Sequence, residues 1–375
     1  MPKQIPIPLK VPFLDLKTQY ANLRGELLPE ILRCFDQGVY IDGEAVREFE
    51  QSFAAYCETP CCVALASGTA ALHLSLLALD IGPGDEVIVP ANTFIATAAA
   101  VSMTGARVVP ADSSPATWLL DPNNLEERIT PRTRAVIAVH LYGSPVDMDA
   151  VSEICTRKNI LLIEDAAQAQ GARYHGRRIG SFGEIACFSF YPGKNLGAFG
   201  NAGAVTTHNQ ALADRIRSLS NHGRSQCKYE HAQVGYNYRM DELQGVVLHA
   251  KLRNLEVWNA KRRYLAEAYR ARLAGLPIEF YEVSPGGEAV YHLMAICCDE
   301  NQALAQHLKM HHIECGFHYP IPVHLQAAFR HLSLAPGSFP VAERIARRTL
   351  SLPIFPEMTE DQFEHVCACI RSFYS

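Results

Sequence analysis

Short apolar runs alternate with segments of helical periodicity through the first two-thirds of this sequence. That alternation restricts the chain to a sheet of mostly parallel strands covered by helices. The runs 62–66 (CVALA), 86–89, 107–111, 135–140 and 160–164 read as strands. The segments 48–56, 70–79, 95–103, 122–128 and 148–158 read as the helices around and between them. Two more apolar runs, 185–190 and 204–206, read as strands that run antiparallel or cross, and a long helical stretch rich in Lys, Arg and Glu covers 241–273. Beyond it, apolar segments 289–298 and 313–319 and helices 301–311, 341–349 and 361–374 suggest a smaller α+β unit. The expected division is a large domain over 1–250 and a small carboxyl-terminal domain over 251–375, in keeping with the size of folded domains.

Composition excludes several classes. The 375 residues are 48% hydrophobic and 19% charged, which is ordinary for a folded chain and argues against disorder. A net charge of −5 with no dense Lys/Arg tract argues against nucleic acid as a partner. The 12 cysteines include the adjacent pairs Cys61-Cys62 and Cys297-Cys298 but no C-x-x-C, so reduced, mostly buried thiols in a cytoplasmic protein are expected, and no metal site. The amino-terminal MPKQIPIPLKVPFLDL is broken by prolines where a signal peptide needs an apolar run. Two long uncharged stretches, 59–79 and 87–106, contain Ser67-Gly68-Thr69 and Pro90, Asn92 and several Thr, so neither reads as a membrane span.

The distribution of charge says more. Among the 29 residues between Glu184 and Asp214 the one formal charge is Lys194, where the chain average would place about five. A lysine in such surroundings is desolvated, which lowers its pKa and frees the amine for Schiff-base chemistry. Walker A would need Gly at 188 and Ser or Thr at 195, where the chain has Phe188 and Asn195, and no G-x-G-x-x-G follows the first strand. Asp165 ends the strand 160–164, and ligands of open α/β sheets bind at that end. There it could hold a pyridinium nitrogen protonated, although an Asp at such a junction also serves as a helix N-cap. Ser67-Gly68-Thr69, between strand and helix, suits a phosphate cradle or a plain cap. Phe94, past another strand end, suits stacking on a flat cofactor or ordinary core packing.

The motifs SGTAALHL, PANTFIAT, LLIEDAAQAQGA, FSFYPGKNLGAFGNAG, HGRSQCKY, GYNYRMDELQ, HYPIPVHLQ and LSLPIFP, in that order, resemble the DegT/DnrJ/EryC1/StrS family of sugar aminotransferases. The resemblance implies an α/β fold of the pyridoxal-phosphate (PLP) fold type I: a three-layer large domain with a mostly parallel sheet and a smaller α+β domain. It implies that Lys194 forms the Schiff base with PLP, Asp165 partners the pyridine nitrogen, Gln168 meets the ring hydroxyl and Phe94 stacks on the ring. Gly68, Thr69 and Ser189 then hold the phosphate, with Asn237 supplied by the neighbouring subunit of a homodimer with shared active sites. The implied reaction moves the amino group of L-glutamate, through pyridoxamine phosphate, to a nucleotide-linked keto sugar. The segment around His318 and Tyr319, with Tyr191, is expected at the sugar, and the expected substrate is a dTDP-3-keto-6-deoxyhexose, with a 4-keto sugar or a UDP-linked 3-keto sugar as alternatives. Two positions depart from the family pattern, Asn201 for the usual Asp and Gln170 for the usual His. Retention of Lys194, where dehydratase members carry His, favours transamination over dehydration. A cofactor-binding regulator would be expected to carry an added module, and the family motifs occupy the given sequence from near residue 12 onward.

Overall fold

The computed structural model describes residues 9–225, 227 and 229–375. Most of the proline-broken leader, residues 1–8, and two positions of the HGRSQCKY segment, Gln226 and Lys228, lie outside the described residues.

The strands are β1 Cys61–Leu65, β2 Glu86–Pro90, β3 Arg107–Ala111, β4 Thr133–Val139, β5 Leu161–Asp165, β6 Arg173–Tyr174, β7 Arg177–Arg178, β8 Ile185–Ser189, β9 Gly203–Thr207, β10 Glu279–Phe280, β11 Gly287–Glu288, β12 Met294–Cys297 and β13 Thr349–Leu352. The α-helices are α1 Leu16–Gln37, α2 Glu44–Tyr56, α3 Gly68–Ala78, α4 Ile95–Met103, α5 Pro122–Glu127, α6 Met148–Lys158, α7 Gln210–Ser220, α8 Glu242–Leu252, α9 Leu255–Arg272, α10 Asn301–Met310, α11 Pro340–Arg348 and α12 Glu360–Phe373.

Seven strands form the main sheet in the order β1-β9-β8-β5-β4-β2-β3. Every pairing from β3 across to β8 is parallel, and β9 is antiparallel to both of its neighbours. The expected mostly parallel α/β sheet is therefore present, and the ambiguous run at 204–206 is its one reversed strand. β1, β2 and β9 are buried along their whole length. This is why they read as unbroken apolar runs and not as alternating ones. The carboxyl ends of β1, β2, β4, β5 and β8 consequently open on one edge of the sheet, where residues 66–68, 91–94, 140, 166–168 and 190 follow them. Past α9, β10, β12 and β13 make a second, antiparallel sheet against which α10 and α11 pack.

The structure differs from the sequence reading in several places: α7 has no counterpart in it, and the run 185–190 is parallel to β5 and does not run against it. The helix expected over 241–273 is two helices, broken at Arg253-Asn254. The break lets α8 pack on α1 and α2 while α9 turns Asn259 and Arg262 toward the loops that follow β5 and β11. α1 was not anticipated, and it runs for 22 residues with Pro29 inside it. Asp15 starts it, with Oδ1 accepting from the Thr18 amide at 2.9 Å and Oδ2 from its hydroxyl at 2.7 Å. The apolar segment 313–319 forms only isolated bridges, Val11 to Ile313 and Gly316 to Ser351.

Glu164, fully buried in β5, holds the turn before β8 in place. Its carboxylate accepts from the amides of Gly180 (2.9 Å), Phe182 (2.8 Å) and Gly183 (3.0 Å) and lies 3.3 Å from His140 Nε2. Burial opposes its charge, but these donors outweigh it and hold the pKa below the ordinary glutamate value. The stability it contributes is present above the unfolded-state pKa and is lost as pH falls through the lowered one. Glu164→Ala, which strands three buried amides, is expected to lower the unfolding free energy by about 3–5 kcal/mol in urea titrations at pH 7, and by progressively less as the pH falls into the acid range.

Candidate active site

A cavity of about 440 Å³ opens at the carboxyl edge of the main sheet. Its wall includes Gly68, Thr69, Phe94, Asp165, Gln168, Ser189, Tyr191, Lys194, His318 and Tyr319, so ten of the eleven residues singled out from the sequence converge there. Asn237 does not line it. That residue bridges Asn221 in antiparallel fashion, and its Oδ1 accepts from Arg239.

The Ser67-Gly68-Thr69 turn starts α3. Ser67 Oγ accepts from the Ala70 amide at 3.1 Å, and the amides of Gly68 and Thr69 precede the first bond within the helix. These two donors and the positive end of α3 face the cavity, as a bound anion requires. The cap therefore forms, and it leaves the amides of Gly68 and Thr69 unused within the helix. A Cβ on Gly68 would stand 2.7 Å from Ser189 Cβ, and one on Gly203 would stand 2.3 Å from the Ser67 carbonyl carbon. The end of β1, the start of β9 and the end of β8 can approach this closely only because both positions are glycine.

Asp165 is buried at the end of β5. Its Oδ2 accepts from Thr97 Oγ1 at 2.8 Å and its Oδ1 from the Ala167 amide at 3.2 Å. Burial raises its pKa against these donors and the nearby Lys194. Lys194 is half-buried on a loop closed by Ala198 N to Phe190 O and Phe190 N to Ala202 O, both 2.8 Å. α8 pins the same loop: Lys251 Nζ donates to Gly197 O at 2.8 Å, and Gln244 Oε1 accepts from the Phe199 amide at 2.9 Å. Desolvation brings the Lys194 amine down to about 8, opposed by the Asp165 carboxylate. The low charge of this segment thus has the consequence expected from the sequence.

Gln168 Oε1 accepts from the Tyr142 amide at 2.7 Å and its Nε2 donates to Tyr319 Oη at 3.1 Å. His318 stacks on Phe13 with ring centroids 5.7 Å apart and sits 2.9 Å from Ser351 Oγ. Burial, aided by the Lys194 charge, pushes its imidazole down to about 4, so it is neutral at physiological pH. Phe94 and Tyr191 are exposed, and the Phe94 ring lies 5.3 Å from that of Tyr319. Of the two departures from the family pattern, Asn201 lines the cavity, and Gln170 Nε2 ties the chain after β5 to Ser189 O at 2.6 Å.

Sequence reasoning missed Thr97, His292 and Phe13. Thr97 was within reach, since it lies three residues after Phe94, in the first turn of α4, and four after Thr93, whose hydroxyl it meets at 3.0 Å. Nothing local marks His292 or Phe13, which arrive from distant parts of the chain. Among the described residues no group of three or more His, Cys, Asp or Glu could hold a metal ion, and no helix is long and apolar enough to cross a membrane.

A buried carboxylate, a low-pKa amine and a helix amino terminus lining one cavity define a site for a phosphorylated, nitrogen-containing aromatic aldehyde, and the residues present fit PLP. Comparison with known proteins agrees. The model of the DegT/DnrJ/EryC1/StrS aminotransferase family matches residues 22–371. The dTDP-3-amino-3,4,6-trideoxy-alpha-D-glucose transaminase of Streptomyces venezuelae is 48% identical over 97% of this chain and 96% of its own. The crystal structure of S. venezuelae DesV superposes with a TM-score of 0.96 at 48% identity, over 98% of this chain and 99% of that one. NtdA from Bacillus subtilis, solved with its cofactor pyridoxamine phosphate bound, gives a TM-score of 0.89 at 31% identity, over 99% and 86%. The chain belongs to the DegT/DnrJ/EryC1/StrS aminotransferase family. It is a PLP-dependent sugar aminotransferase with the expected fold.

In the cofactor-free protein, acylation of Lys194 by acetic anhydride, followed by peptide mass spectrometry, is expected to reach half its maximal rate near pH 8. Asp165→Asn removes the negative charge that supports the ammonium form and should move that midpoint lower; an upward move would contradict the assigned electrostatics.

Proposed function

We propose that this enzyme transfers the amino group of L-glutamate to a dTDP-3-keto-6-deoxyhexose, giving a dTDP-3-amino sugar and 2-oxoglutarate. The observation that carries this reading is the single cavity in which Lys194, Asp165 and the start of α3 converge beneath Tyr191, His318 and Tyr319. The name of the S. venezuelae relative supports the choice of nucleotide and carbon.

PLP, when bound, supplies the electron sink that makes a carbon acid of the amino donor. Gly68, Thr69 and Ser189 would hold its phosphate, Phe94 would cover its ring and Gln168 would meet the ring hydroxyl. The Asp165 carboxylate, fixed by Thr97 and the Ala167 amide, would keep a proton on the ring nitrogen. Lys194 Nζ takes the proton from the α-carbon of glutamate and later gives one to the former ketone carbon of the sugar. An amine near pH 8 can do both, because neither protonation state is far out of reach. Neutral His318 and Tyr319, which burial pushes up to about 12, offer hydrogen bonds to sugar oxygens without adding charge.

The same reading makes the enzyme a cytoplasmic homodimer, with Asn237 completing the phosphate site of the neighbouring subunit. Its position away from the cavity of its own chain supports this. The division into a cofactor domain over 1–250 and a smaller domain over 251–375 belongs to it as well.

L-Glutamate alone should bleach the yellow cofactor absorbance, and initial-rate lines at several glutamate concentrations should be parallel; intersecting lines would reject the two-stage reaction. Lys194→Ala should lower turnover by about 10²–10⁴-fold or more while the protein still sediments as a dimer. A panel of dTDP-, UDP- and GDP-linked keto sugars, with the aminated carbon read by NMR, tests the substrate. Efficient turnover of a 4-keto or UDP-linked member in preference to the dTDP-3-keto sugar would overturn it.

A further inference from the structure

His292 belongs to none of the motifs read from the sequence, yet it lines the cavity that also holds Lys194. It is held on two sides. Buried Arg262 donates from Nη1 to the carbonyls of Tyr291 (3.2 Å), His292 (3.3 Å) and Ile354 (2.8 Å), fixing the backbone. The ring Nδ1 lies 3.3 Å from Asn195 Oδ1.

The amide of Asn195 has one sensible orientation. Its Nδ2 donates to Asn259 Oδ1 at 2.9 Å and to Val290 O at 3.0 Å, while Asn259 directs its own Nδ2 to Gln170 O at 2.9 Å. Turning either amide over would set donor against donor or oxygen against oxygen. Asn195 Oδ1 is therefore an acceptor, and His292 Nδ1 carries the hydrogen. Burial, with Lys194 and Arg262 nearby, holds the imidazole neutral, so it has one N–H and that one is used. Nε2 is left as a bare acceptor with no partner among the described residues.

We propose that His292 is a specificity-determining residue whose Nε2 accepts a hydrogen bond from a sugar hydroxyl on a carbon next to the reacting carbonyl. The inference rests on the keto-sugar reading above and deepens it. Lys194 must reach the reacting carbon, and His292 lines the same cavity of about 440 Å³, so a sugar whose carbonyl meets the lysine brings the groups on its neighbouring carbons within that shared wall. Glutamate gains nothing from it, since its two carboxylates offer only further acceptors and its amine is the group being transferred. A neutral acceptor here thus favours the hydroxylated substrate without trapping the amino donor, which suits one cavity that must admit both in turn.

The test uses the holoenzyme and separates the half-reactions by absorbance. His292→Phe should slow discharge of the amine to the dTDP-3-keto-6-deoxyhexose at least ten times more than it slows bleaching by glutamate. His292→Gln, whose amide can donate to Asn195 and present Oε1, should recover most of the loss. By calorimetry, wild-type protein should bind dTDP-3-amino-3,6-dideoxyglucose about 10-fold or more tightly than its counterpart lacking the C2 and C4 hydroxyls, and His292→Phe should bind the two alike. Equal slowing of both half-reactions or retained discrimination in His292→Phe would each overturn the proposal. If wild-type enzyme discharges its amine to no keto sugar at all, the function itself fails, and this outcome is distinct from failure of His292 alone.

Discussion

The site depends on the mutual support of two ionisable groups that the cavity would otherwise neutralise. Desolvation raises the Asp165 carboxyl and lowers the Lys194 amine, while the charge of each works against the shift of the other. The carboxylate also has two donors of its own, Thr97 and the Ala167 amide. The lysine side chain has no such partner among the described residues and relies on a loop fixed from outside. The pair is thus asymmetric, with a firmly held anion at the floor and an amine that is free to react and stays near the pKa needed for proton transfer.

Fixing that loop is the work of residues far from it in sequence. Lys251 and Gln244 from α8 hold Gly197 and Phe199, and Asn259 from α9 holds Asn195. α8 and α9, on either side of the break at Arg253-Asn254, thus engage different parts of the loop. Asn195 then serves a second purpose: by accepting from His292 it sets which imidazole nitrogen carries the hydrogen and which is left as an acceptor. One hydrogen-bond network therefore places the lysine and decides the hydrogen-bonding character of its neighbour.

Much of this was legible from the chain alone. The parallel sheet followed from unbroken apolar runs, because strands covered on both faces need no polar alternation. Lys194 stood out by withdrawn charge and Gly68-Thr69, Phe94 and Asp165 by strand-end positions, both of which are local, whereas Gln168, Ser189 and Asn237 came only with the family resemblance. α1 was hidden by Pro29, since proline lowers helical expectation even where the surrounding turns are packed and capped. The single helix expected over 241–273 failed for a related reason: periodicity records which face is buried, and it continues through a two-residue break.

The sequence by itself determined the fold class, the lysine and the carboxylate, because strand ends and charge depletion are properties of contiguous residues. Only the tertiary structure decided that Thr97 supports Asp165, that Asn237 stands away from its own cavity and that His292, a residue of the cavity wall, keeps one nitrogen as an acceptor. Asn195 and His292 are 97 positions apart, and the proton between them is fixed by a chain of hydrogen bonds through Asn259 to Gln170. Such a chain has no signature in any one segment, because a hydrogen bond depends on where its two ends meet in space and carries no record of the residues between them.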